Sequence, residues 1–125
     1  MKKVILDTNF LVSILQLKID IFEGIFDCLM ENVEYYIIDK TKNELEKLIK
    51  TSKLSDSQAA KFGLKVLETK PIKVIKTTEN KCVDDLILDQ KGYVVATVDK
   101  ELKQKLKNKK IRILTIKQKK YIVLE

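Results

Sequence analysis

Apolar residues along this chain alternate between two periods. Val4-Ile5-Leu6 is a short continuous run of the kind a strand buried on both faces carries; it breaks at Asp7-Thr8-Asn9, and apolar residues resume at helical spacing from Phe10 to Leu17. Asp20 opens a second helical stretch to about Glu31, where Ile21, Ile25 and Leu29, with Phe22 and Phe26, recur at i+4 as core faces. Tyr35 to Ile38 reads as a second strand ending at Asp39. Thr41 then caps a helix whose apolar side is Leu45, Leu48 and Ile49, and Glu44 falls at the spacing of a capping box. Ser55 or Ser57 starts the next helix, roughly Asp56 to Thr69, with Ala60, Leu64 and Leu67 inward and Pro71 as its stop. Ile72 to Ile75 is a third strand, and Asn80 or Cys82 begins a short helix through Val83–Leu88 that Gly92 closes. Tyr93 to Thr97 is the strongest strand signal. A basic helix from Lys100 to about Asn108 follows, then a fifth strand, Ile111 to Ile116, and a last extended piece, Lys119 to Leu124.

Strands alternating with helices over the whole length predict a three-layer α/β/α sandwich around a mainly parallel sheet of about five strands. With 125 residues, 45% of them hydrophobic, the expectation is one domain spanning 1–125. Three glycines and one proline leave no low-complexity linker, and no internal repeat is visible. The start, Met1-Lys2-Lys3, runs directly into the first strand, and no apolar run approaches the roughly 18 residues of a membrane span. Neither signal peptide nor membrane anchor is expected, and a cytoplasmic location is.

Composition narrows the chemistry. There is no histidine, so an imidazole base and imidazole metal ligation are both excluded. Cys28 and Cys82 lack paired spacing and sit in apolar helical contexts, which predicts two buried reduced thiols rather than a disulfide or zinc site. The formal charge is +7, and it is unevenly spread: Lys100 to Glu125 holds ten basic residues against two acids. That asymmetry points to a polyanion, most simply nucleic acid, and makes Lys100, Lys103, Lys107, Lys110, Lys117, Lys119 and Lys120 candidate RNA-backbone contacts. Lysine outnumbers arginine 24 to 1, so point charges on phosphates are expected more than bidentate base readout.

Acids then stand where such a fold would aim them into one crevice, beyond the carboxyl ends of its strands. Asp7 follows the first strand, Glu44 lies in the helix after the second, Asp84 and Asp85 in the helix after the third, and Asp99 after the fourth. Helix neighbours diverge by about 100°, so one of Asp84 and Asp85 is expected to face inward; we favour Asp85, although spacing leaves the choice open. Crowded carboxylates raise one another's pKa unless a cation offsets them, and an all-oxygen set suits Mg²⁺ or Mn²⁺. Thr8, Asn9 and Thr97 are placed to orient water or a phosphate, or to cap helices.

Four stretches carry a resemblance to a known family: Val4-Ile5-Leu6-Asp7-Thr8-Asn9-Phe10-Leu11, Asn43-Glu44-Leu45-Glu46-Lys47-Leu48, Val83-Asp84-Asp85-Leu86-Ile87-Leu88 and Val95-Ala96-Thr97-Val98-Asp99-Lys100-Glu101-Leu102. In this order they resemble the successive motifs of PIN domains, especially the branch of the small-subunit ribosomal RNA processing nuclease and its archaeal and toxin-like relatives. The resemblance covers essentially the whole chain. It implies an Mg²⁺- or Mn²⁺-dependent endoribonuclease with Asp7, Glu44, Asp85 and Asp99 as metal-binding acids. It also implies a pre-ribosomal particle or an antitoxin protein as partner. Two features depart from the family: Val98 stands where Asn is common, and the stretch from Asp85 to Gly92 is about one helical turn shorter.

Those departures favour an alternative, a non-catalytic RNA-binding scaffold in ribosome assembly. A receiver-like regulatory domain fits less well, because the first strand carries one acid and Ile72 to Ile75 runs into Lys76 without an aspartate. The mixed apolar and basic surface near Tyr121-Ile122-Val123-Leu124 suits pairing with a second copy.

Overall fold

A computed structural model describes residues Met1–Glu125. The order is β1 (Lys2–Leu6), α1 (Thr8–Leu17), α2 (Ile21–Leu29), β2 (Val33–Ile38), α3 (Thr41–Thr51), α4 (Leu54–Thr69), β3 (Ile72–Ile75), α5 (Val83–Leu88), β4 (Val94–Ala96), α6 (Lys100–Asn108), β5 (Ile113–Lys117) and β6 (Tyr121–Leu124). The strands form one sheet in the order β3-β2-β1-β4-β5-β6, parallel throughout except for β6, which runs antiparallel to β5. The sheet thus has six strands rather than about five: the last extended piece folds back through a tight turn and pairs Tyr121 with Lys117 and Leu124 with Leu114.

Strand alternation divides the core in two. Val4, Leu6, Ile37, Val94, Ala96 and Leu114 face one side and pack with Phe10, Leu11, Ile21, Ile25, Leu45 and Ala60 of α1 to α4. Their neighbours Ile5, Ile38, Val95 and Ile113 face the other side and pack with Val83, Leu86 and Ile87 of α5 and Leu102 and Leu106 of α6. A two-residue period places adjacent side chains on opposite faces, so an unbroken apolar run is what a strand between two helical layers requires.

The topology locates a crevice. After β1 the chain moves toward β2 and β3; after β4 it moves the other way, to β5, with α1 and α6 on opposite faces of the sheet. The carboxyl ends of β1 and β4 therefore flank a topological switch point, where the outgoing connections part and leave room for a ligand. No helix is long and apolar enough to cross a membrane.

Local details depart from expectation for identifiable reasons. Thr41 is the first residue of α3 rather than its cap; Lys40 holds the cap position without a side-chain bond, and the Thr41 hydroxyl is buried without a partner. Helix α5 ends at Leu88, and Gly92 lies beyond it with φ +84°, turning the chain into β4. Phe26 is half exposed because Ile21 and Ile25 already fill the inward face of α2. Both cysteines are free, but Cys28 is only half-buried and Cys82, preceding α5, is exposed.

Candidate functional site

The crevice at the switch point is a cleft of about 820 Å³, and Asp7, Glu44, Asp84 and Asp99 all line it. Each arrives from a different element. Asp7 ends β1 and is 3% exposed, held by the N–H of Thr8, which donates to Oδ1 at 2.9 Å. Asp99 follows β4 and caps α6, its Oδ1 accepting from the backbone N–H groups of Glu101 at 2.8 Å and Leu102 at 3.1 Å. Its other oxygen is not committed to the helix. Glu44, on α3, accepts a short hydrogen bond from the Thr8 hydroxyl, so its partner is α1 and not Thr41 of the expected capping box.

Thr97 lies beneath the acids and is fully buried. Its hydroxyl donates to Asp7 Oδ2 at 2.8 Å and accepts from the Asp99 N–H at 3.1 Å. Asn9 Oδ1 accepts from the Val98 N–H at 3.3 Å, joining the start of α1 to the end of β4. Backbone bonds from Asp7 N to Ala96 O and from Thr97 N to Leu114 O, both 3.0 Å, continue the ladder to the edge of the cleft. Asp7 and Asp99 thus stand at the hydrogen-bonded end of the sheet.

Helix α5 presents Asp84, not Asp85, to this cleft. Val83, Leu86 and Ile87 are buried, which turns Asp84 toward β1 and β4 and leaves Asp85 exposed outside the lining. With Leu86 and Ile87 both inward, the inner face of this short helix is centred further round than Val83 and Ile87 alone suggest. Among the lysines expected to contact RNA, Lys119 lines the cleft; Lys100, Lys103, Lys107, Lys110, Lys117 and Lys120 do not. Lys103 and Lys107 instead approach the Glu125 carboxylate at 3.4 and 3.8 Å. Lys47, on the lining, and Lys105, whose charge acts on Asp84, were not singled out in the sequence, although Lys47 falls three residues after Glu44 and so on the same helix face.

Electrostatics mark the same place. Burial pushes the Asp7 carboxyl up to about 7, with the nearby Asp84 and Glu44 charges adding to the rise while the bonds from Thr97 and Thr8 oppose it. Asp84 is also raised, first by burial and then by the charges of Asp99 and Glu44, with Lys105 pulling the other way. The cleft therefore gathers carboxylates that raise one another's pKa, and its acidic donors are all oxygen. No three of these acids stand close enough together to form a ready-made metal-ligand group; the donors that the cleft offers are all carboxylate oxygens, the type that Mg²⁺ takes together with water. The residues present fit that group.

The chain is similar to known proteins over most of its length. The family described as "PIN like domain" matches residues 4–119. Ribonuclease VapC4 of Methanocaldococcus jannaschii is 34% identical over 125 residues, covering 97% of this chain and 95% of that protein. The rRNA-processing protein fcf1 of Schizosaccharomyces pombe is 36% identical over 109 residues, 83% of this chain; the chain spans about half the length of that relative, 53%. The solved structure of the PIN domain endonuclease Utp24 superposes with a TM-score of 0.82 at 33% identity, covering 98% of this chain and 90% of that one.

Proposed function

Since the chain belongs to the PIN-like domain family, we propose that it is an endoribonuclease dependent on Mg²⁺ or Mn²⁺, cutting RNA phosphodiesters with water as nucleophile. The observation that carries this reading is the meeting of Asp7, Glu44, Asp84 and Asp99 in one cleft between the ends of β1 and β4. A hard divalent ion bound there would supply positive charge to the scissile phosphate and acidify a water at neutral pH.

The chain's own residues do the remainder. Asp7, Glu44, Asp84 and Asp99 are the residues that would hold the ion, each bringing a carboxylate to the cleft. Thr97 fixes the Asp7 carboxylate by its 2.8 Å bond, and Thr8 ties Glu44 to α1, so neither acid has to be ordered when the substrate arrives. Asn9 braces the loop that carries Asp99. Ribosomal RNA processing is the setting supported by likeness to the fcf1 protein and the Utp24 domain, and action as the toxin of a toxin–antitoxin pair by likeness to a VapC ribonuclease.

The test is cleavage of a structured ribosomal RNA fragment with Mn²⁺, with Mg²⁺ and with chelator, beside Asp7→Asn. Metal-dependent cutting by the wild type that the variant loses is the expected result. RNA bound but left whole in every metal condition would instead make this a non-catalytic RNA scaffold.

A further inference from the structure

The cleft runs well past the acids. From Asp7 and Asp99 it extends along α1 and α3 to Gln16, Thr51 and Asp56, giving about 820 Å³, more room than one phosphate group needs. Two lysines line it, Lys47 on α3 and Lys119 in the turn between β5 and β6. Helix α3 follows β2, and this turn follows β5, so the two lysines approach from either side of the β1 and β4 strand ends that carry the acids.

Both ammonium groups are exposed and neither is ion-paired, although Asp7, Glu44, Asp56, Asp84 and Asp99 all line the same cleft. Lysines elsewhere in the chain do find carboxylates, as Lys81 does with Glu79 and Asp89 at 2.8 Å each. A cleft lined by acids repels a polyanion, and a substrate with phosphates on both sides of the reacting one needs positive charge beside the acids.

The backbone at Lys119 adds a second observation. Gln118 and Lys119 both occupy left-handed conformations, φ 55° and 56°, in a turn closed by the Lys120 N–H to Lys117 O bond at 3.1 Å. Two-residue turns of this handedness are ordinarily made of Asn and Gly, and a long side chain there costs of order 1 kcal/mol or more. The turn in this conformation places Lys119 on the lining of the cleft.

Resting on the nuclease reading, we propose that Lys47 and Lys119 form a two-sided clamp on the RNA backbone, seating the strand in the cleft along α1 and α3 with its flanking phosphates on these two ammonium groups. The basic outer face of α6, where Lys103 and Lys107 meet Glu125, is not the path.

The experiment measures binding of a fluorescein-labelled single-stranded RNA to the Asp7→Asn protein by anisotropy over a salt series, so that the RNA stays whole. Lys47→Ala and Lys119→Ala should each weaken binding several-fold and reduce the slope of log affinity against log salt by about 0.7, the value for one phosphate contact on a single strand. The arginine substitutions should restore the slope. Lys61→Ala, which removes a charge from α4 away from the cleft, controls for net charge.

Binding that is intact in both cleft variants, or weakened by Lys103→Ala/Lys107→Ala but not by them, overturns the clamp and leaves the nuclease reading standing. Absence of RNA binding by the Asp7→Asn protein at every salt concentration overturns both.

Discussion

The Thr97 hydroxyl donates to Asp7 Oδ2 at 2.8 Å, across the junction where β4 lies beside β1. The Thr97 hydroxyl oxygen in turn accepts from the Asp99 N–H, so one buried hydroxyl sets the relation between two acids ninety-two residues apart in sequence. Thr97→Val keeps the shape and removes both bonds. Leaving the Asp99 N–H and an Asp7 oxygen without their partner should cost about 1–3 kcal/mol of stability. Metal affinity or cleavage should fall about 10- to 100-fold, as is usual when an outer partner of a ligand is removed. Thr97→Ser should recover most of both. Denaturant unfolding and Mn²⁺ titration of the three proteins check this, and undiminished Mn²⁺ affinity in the valine variant would show that Thr97 serves the fold alone.

Asp84 and Asp85 are adjacent yet face different surroundings. Asp84 lines the cleft and is raised by Asp99 and Glu44, whereas Asp85 is exposed outside it. Asp84→Asn should lower cleavage by at least about 100-fold, the scale expected when a direct contributor to charge stabilisation is lost. Asp85→Asn should stay within a few-fold of wild type. Single-turnover cleavage rates decide between them, and the reverse order would mean that α5 rotates when RNA binds.

What the sequence made legible follows from how local each signal is. The runs at Val4–Leu6 and Val94–Ala96 give the central strands, because burial between two helical layers writes itself into consecutive apolar residues. The positions of Asp7 and Asp99 follow, since Asp7 comes directly after such a run and Asp99 three residues after the end of one. The choice between Asp84 and Asp85 was not legible, because it depends on the rotation of a six-residue helix whose buried positions Leu86 and Ile87 are adjacent. Glu44 satisfied two readings at once, a cap for its own helix and a cleft acid; only the position of Thr8 across the cleft decides. Pattern alone does not show that Glu125 folds back beside Lys103 and Lys107.

Strand β6 is held by a contact that leaves almost no trace in hydrophobic periodicity. A Cβ added to Gly24, in α2, would stand 2.7 Å from Ile122 Cδ1, 3.0 Å from its Cγ1 and 3.1 Å from its Cβ. The glycine lets α2 lie directly against β6, an approach reinforced by the bond from Cys28 Sγ to Ile122 O at 2.9 Å. Gly24→Ala gains up to about 1 kcal/mol of helix propensity. It should nevertheless lose stability, because overpacking costs typically 1–3 kcal/mol. In an Ile122→Ala background the penalty should vanish and the propensity gain should show. A double-mutant cycle by denaturant unfolding reads the coupling, and additive effects would mean that β6 shifts freely to admit the methyl group.

The raised carboxyl of Asp7 makes the stability of the metal-free protein depend on pH in a definite direction. Its value is about 7 in the folded chain against an ordinary 3.8. Between these values the folded state binds the extra proton and the unfolded state does not, so stability falls as pH rises from about 4 to about 7 and levels off above. Burying the ionised carboxylate is then a standing cost at neutral pH, of order a few kcal/mol. Asp7→Asn, which resembles the protonated acid, should remove that slope: it should be close to wild type near pH 4 and more stable than wild type at pH 8, while being inactive. Mn²⁺ favours the ionised form, so it should raise the wild-type melting temperature most at pH 8, little at pH 5, and hardly at all in the variant. Melting curves over this pH range with chelator and with Mn²⁺ test each part. If the asparagine variant is less stable than wild type at pH 8, the Asp7 carboxylate contributes to the fold, and its tension with Glu44 and Asp84 is not what prepares the cleft for a cation.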